Sequence, residues 1–137
     1  MTIADLLKAG LEHYQRGNLE GAEKKFRQVI LVDNRNIHGL NLLGMICVNT
    51  GRHEEAVHLI TDALKISPTD AQAQGNLGLA YQRMGNLKLA ESCFRKSIEL
   101  GGKNRTIFNS LGNVLRESGR ASEAVQVYES TLKVDGN

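Results

Sequence analysis

The chain has 137 residues, 41% of them hydrophobic and only 4% aromatic, enough for one domain with a sizeable core of small and aliphatic side chains. Its formal net charge of +2 is too small to single out nucleic acid or an anionic membrane as a partner. Two cysteines on different repeats favour free thiols over a disulfide, and with no apolar run of about eighteen residues and no charged-then-apolar leader nothing points to a spanning helix or to secretion, so the expected setting is the cytoplasm.

Read in order, the chain repeats itself. Thr2-Ile3-Ala4-Asp5 runs straight into a helical stripe of Ile3, Leu6, Leu7 and Gly10, which ends at Gly17. Asn18 follows as a candidate N-cap, and a second stripe runs through Ala22 and Phe26. The same letters return every thirty-four residues. The first glycine recurs as Gly10, Gly44, Gly78 and Gly112, the second as Gly17, Gly51, Gly85 and Gly119, and an alanine as Ala22, Ala56, Ala90 and Ala124.

The third copy is the clearest. Ala73, Leu77, Ala80 and Tyr81 share one helix face, Gly85 suits a left-handed helix end, and Leu87, Ala90, Phe94 and Ile98 begin a stripe with a new phase. Each copy is therefore a helix, a glycine-centred turn and a second helix. Gly78 lies inside the first helix, where glycine costs about 1 kcal/mol against alanine. Close packing is the expected reason, with Gly78 and Ala90 lacking bulk where the two helices cross. Pro68, Thr69 and Asp70 close the second copy and cap the third.

Leu77-Gly78, Tyr81, Gly85, Ala90 and Phe94, at a thirty-four-residue period, resemble the tetratricopeptide repeat. The resemblance implies an all-α, right-handed superhelical solenoid of four helix-turn-helix repeats, about eight antiparallel helices, in a single domain over 1–137. The repeats are 3–36, 37–70, 71–104 and 105–137. The place of the family's early tryptophan is taken by Leu6, Leu40, Gln74 and Phe108, and only the second repeat keeps the closing proline.

No catalytic constellation emerges, and the chain is expected not to be an enzyme and to need no cofactor. His53-Glu54-Glu55-Ala56-Val57-His58 has its histidines five apart rather than the four of a helical zinc motif, so they diverge on a helix and read as two exposed imidazoles. No metal site is expected. Gly101-Gly102-Lys103 lacks the upstream glycine of a phosphate loop. Lys24, Lys25 and Arg27 read as a solvated face, and Cys47 and Cys93 as buried free thiols.

What remains is surface. The resemblance implies that the first helices line a concave groove and that a protein or peptide binds there. The positions off the packing stripe are Lys8 and Leu11 in the first repeat, and Asn41, Met45 and Asn49 in the second. In the third they are Gln72, Asn76, Leu79, Gln82 and Arg83, and in the fourth Asn109, Asn113 and Arg116. The amides in the second half could pair with a peptide backbone of any sequence. Some family members grip a chaperone's terminal carboxylate with a Lys/Asn/Lys/Arg clamp; Lys8 matches one lysine, but Leu11 and Asn41 stand where partners belong. Asn76-Leu77-Gly78 and Leu111-Gly112-Asn113 are more similar to the arm preceding protein O-linked glycosyltransferases, although Asn41 and Asn109 are one residue out of step with Asn76. A substrate-recruiting arm of such a larger enzyme is thus the alternative function. The last helix carries Val125, Tyr128, Leu132 and Val134 with no solvating helix after it. That leaves two expectations: a piece of a longer protein, or a homo-oligomeric scaffold joined through this face.

Overall fold

The computed structural model describes the backbone of residues 1–135 and the side chains of residues 1–133. Among the described residues there are eight α-helices and no strand. They are α1 (Ile3–Gln15), α2 (Leu19–Val32), α3 (Ile37–Asn49), α4 (His53–Ile66), α5 (Ala71–Arg83), α6 (Leu87–Glu99), α7 (Arg105–Glu117) and α8 (Ala121–Asp135). The chain divides into two compact units, Met1–Pro68 with α1–α4 and Thr69–Asn137 with α5–α8.

The caps follow from the side chains at the helix starts. Asn18, Asn36, Asp70, Asn86 and Asn104 each accept a hydrogen bond from the backbone N–H three residues on, and Thr2 forms a reciprocal capping box with Asp5. The expected caps at Asn18 and Asp70 are present. Gly85 has φ 81° with open space around it, so its role is purely the left-handed turn between α5 and α6.

The mid-helix glycines are points of close packing, as expected. A Cβ on Gly78 would stand 2.6 Å from the ring of Phe94, and one on Gly44 would stand 2.6 Å from Ile60. Gly10 meets Phe26 and Gly112 meets Tyr128 in the same way. The bulk that excludes a side chain at Gly78 therefore comes from the ring one turn beyond Ala90. Small Ala90, wholly buried, lets the helices approach.

In the first unit Phe26, Val29, Leu43, Ile46 and Ile60 are fully or almost fully buried. In the second unit Phe94, Ile107, Leu111, Val114 and Leu115 form the corresponding cluster. Cys47 and Cys93 are both free and buried, and burial pushes each thiol up to about 11.

Charged tetrads bind the repeats within each unit. In the first, Arg52 reaches Glu23 at 2.7 Å and Arg27 reaches Glu55 at 3.0 Å, joining α2 to the start of α4. In the second, Arg120 reaches Glu91 at 2.6 Å and Arg95 reaches Glu123 at 3.6 Å, joining α6 to α8. Hydrogen bonding by Arg52 brings Glu23 down to about 2, against the cost of its burial. At Glu91 burial alone would raise the pKa, but Arg120 and Arg95 outweigh it and the carboxyl falls below its ordinary range. Arg27 is thus part of an ion-pair network, whereas the sequence reading placed it on a solvated face. His53 also differs from expectation: it is half-buried at the start of α4, and its Nδ1 is enclosed without a hydrogen-bond partner. His58 is exposed as expected.

Candidate interaction surface

First helices of neighbouring repeats meet near their C-terminal ends within each unit. Asn49 Nδ2 of α3 donates to Tyr14 Oη of α1 at 3.5 Å, and Gln82 Nε2 of α5 donates to Glu117 Oε1 of α7 at the same distance. The two pairs occupy equivalent places in the two units. In each unit the ion-pair network lies on the second helices, and the two first helices carry the residues expected to line a wall.

On the wall of the first unit, Lys8 and Asn49 are exposed, Leu11 is 39% exposed, and Asn41 and Met45 are half-buried. On the wall of the second, Gln72, Arg83 and Arg116 are exposed, while Gln82, Asn109 and Asn113 are half-buried. Leu79 packs against the core cluster as a half-buried side chain. Asn76 is only 7% exposed.

Asn109 and Asn113 are engaged inside their own repeat. Thr131 Oγ1 donates to Asn109 Oδ1 at 3.3 Å, and Tyr128 Oη donates to Asn113 Oδ1. Each amide oxygen is thereby held by a hydroxyl of α8, which leaves the amide nitrogens as the groups to be offered elsewhere. These two asparagines are not rungs equivalent to Asn76, whose counterpart one repeat later is Ser110.

The last helix is mixed. Val125 and Leu132 are 54% and 70% exposed. Tyr128 is different: its ring lies on Gly112 and its hydroxyl is bonded to Asn113, so it is half-buried within the repeat. The side chain of Val134 lies outside the described residues.

The sequence reading missed one apolar feature. Leu31 and Val32, at the end of α2, are 86% and 68% exposed. Leu31 borders a cavity of about 240 Å³ with Arg27, Ile30, Leu43 and Leu59. The signal was available, since the equivalent residues in the other repeats are the charged Lys65, Glu99 and Lys133. Among the described residues no helix is long and apolar enough to cross a membrane, and no group of three or more His, Cys, Asp or Glu is placed to hold a metal ion.

Comparison with known proteins places this arrangement. The family model of the tetratricopeptide repeat matches residues 35–101 and 69–136. Human tetratricopeptide repeat protein 7B is 28% identical over 98 residues, which is 72% of this chain and 12% of that protein. The chain thus spans only about a tenth of the length of the first curated relatives that it matches. The crystal structure of MamA superposes with a TM-score of 0.87 at 21% identity, over 98% of this chain and 79% of the other. TTC0263, a thermophilic TPR protein of Thermus thermophilus, gives 0.89 at 16% identity, over 99% and 76%. These likenesses establish the fold as an all-α helical-repeat solenoid. Given the thirty-four-residue spacing of Gly44, Gly78 and Gly112 and the match over 35–136, the chain belongs to the tetratricopeptide repeat family.

Proposed function

We propose that this protein-interaction module binds an extended peptide or protein segment along the first-helix walls and performs no chemistry of its own. The observation that carries the reading is the meeting of α1 with α3 and of α5 with α7 near their C-terminal ends, at Tyr14–Asn49 and Gln82–Glu117. The contacts proposed on this reading are Lys8, Leu11, Asn41, Met45 and Asn49 in the first unit, and Gln72, Gln82, Arg83, Asn109, Asn113 and Arg116 in the second, with Asn76 and Leu79 reached only at their edges. Affinity in the micromolar range, roughly −8 kcal/mol, suits a wall of this kind. The setting that goes with it is the cytoplasm, where Cys47 and Cys93 stay thiols.

A peptide selected from a random display library is the probe. A variant with Asn76, Arg83, Asn109 and Asn113 all changed to alanine should lose at least about tenfold in affinity, or 1.4 kcal/mol, while keeping its helical signal. Unchanged binding by the folded variant would remove the wall from the account.

Exposed Val125 and Leu132 favour a second reading, a self-assembling scaffold. Light scattering over a wide concentration range, on the protein and on a Val125→Ser/Leu132→Ser variant, tests it. An oligomer that the variant abolishes supports it, and a monomer throughout rejects it.

A further inference from the structure

We infer that the chain assembles head to tail, with the exposed face of α8 docking on the exposed strip of α2 in a second copy. The inference rests on the self-assembling scaffold reading and says which surface meets which. Val125 and Glu129 stand on α8 where Glu23 and Arg27 stand on α2, and Glu91 and Arg95 on α6. On α2 and α6 those places hold the next second helix, through Glu23–Arg52, Arg27–Glu55, Glu91–Arg120 and Arg95–Glu123. On α8 the same face is open. Val125 and Leu132 are 54% and 70% exposed, Glu129 between them is exposed, and their spacing lines all three up along one side of the helix.

The strip on α2 has the same spacing and complementary chemistry. Lys24, Gln28 and Leu31 run along its exposed side, with Val32 beside Leu31 and half-buried Lys25 beside Lys24. Leu31 and Val32 are 86% and 68% exposed, and the cavity of about 240 Å³ next to Leu31 adds Ile30, Leu43 and Leu59 to the apolar end. At the same places α4 carries His58, Asp62 and Lys65, and α6 carries Ser92, Lys96 and Glu99, so the aliphatic end is a feature of α2. Laid together in either direction, the two strips set Gln28 opposite Glu129 and Leu31 opposite Leu132 or Val125. Lys24 and Lys25 then lie one turn from the Glu129 carboxylate, and Glu20 lies a turn beyond them, outside the facing strips. Among the described residues Lys24, Lys25 and Glu129 have no ion-pair partner of their own. A symmetric pair of α8 faces would instead set Glu129 against its own copy, and like charges repel. Contact between two different faces leaves one of each free at the ends, so assembly continues with concentration until a ring closes.

Sedimentation velocity on the full chain tests it, with circular dichroism checking that each variant keeps its helices. The parent should grow beyond a dimer as concentration rises. Leu31→Glu removes the α2 strip and Val125→Ser/Leu132→Ser removes the α8 face, and each variant alone should be monomeric. Mixed in equal amounts they should form a dimer and stop there, because one keeps the α8 face and the other keeps the α2 strip. Lys24→Glu/Lys25→Glu should weaken assembly at least about tenfold, and mixing it with Glu129→Lys should restore it. A parent that is monomeric throughout rejects both the scaffold reading and this inference, as does an oligomer that the α8 variant keeps. An oligomer lost in the α8 variant but kept in Leu31→Glu leaves the scaffold reading standing and overturns the α2 strip as its partner. Two monomeric variants that fail to pair when mixed do the same.

Discussion

Gly78→Ala is the sharpest test of how each repeat is packed. In an unconstrained helix the change would stabilise by about 1 kcal/mol. Here the new Cβ would stand 2.6, 2.8 and 3.0 Å from three ring carbons of Phe94, which is wholly buried. To restore ordinary contact the ring edge must retreat by about 0.8 Å, in a core that is packed as densely as an organic crystal. Overpacking of this kind costs about 1–3 kcal/mol, so after the helical gain of about 1 kcal/mol the net loss should be between zero and about 2 kcal/mol. Urea denaturation followed by circular dichroism measures it. Phe94→Leu in the same background makes room, and the double variant should be more stable than the sum of the single effects by about 1 kcal/mol. Gly85→Ala provides the contrast. It has φ 81° with nothing within 4 Å, so its cost of about 1–2 kcal/mol is backbone strain and should add to Phe94→Leu without coupling. If Gly78→Ala raises the midpoint, the close-packing account of these glycines is refuted.

Glu23→Gln should destabilise at neutral pH. A fall from the ordinary 4.5 to about 2 would convert to roughly 3 kcal/mol in full. Arg27 and Arg52 are 41% and 37% exposed, so screening by water reduces the expected loss to about 1–2 kcal/mol. Because the folded pKa is depressed, this stabilisation is complete above about 4.5 and disappears as pH falls towards 2, where the variant and the parent should converge in denaturation curves. Leu31→Glu installs at the edge of the α2 cavity the residue found at Glu99, and thermal melts should show a change within about 0.5 kcal/mol. Cys47 and Cys93, raised to about 11 by burial, should react with a thiol reagent at neutral pH only slowly in the native protein and rapidly in urea. Fast native labelling would contradict the burial of Cys47.

The sequence made the repeat legible because its determinants are local. A left-handed glycine, an asparagine cap three residues before its N–H, and a glycine facing a ring one helix later all fall within one repeat. Gly85, Asn86 and the Gly78–Phe94 contact are of this kind. The charged tetrads were not legible within one repeat. Arg52 and Glu23 are neighbours only after α2 and α4 stack, and their pattern returns as Arg120 and Glu91, two repeats later rather than one. A period of thirty-four hides it, since the positions one repeat on from Glu23 and Arg27 are Val57 and Thr61. Helical phase, which marks out the expected wall residues, says which way a side chain starts but not what it meets. Asn109 and Asn113 meet the hydroxyls of α8, and nothing in the sequence of α7 alone announces Thr131 and Tyr128.

Amide chemical-shift mapping would locate the binding face. A library-selected peptide would be titrated into isotopically labelled protein and the shifted amides assigned. The account predicts shifts concentrated in α1 and α3 or in α5 and α7, with Asn76, Arg83 and Asn113 among the largest if the second wall is used. Shifts confined to α2, α4, α6 and α8 would contradict it.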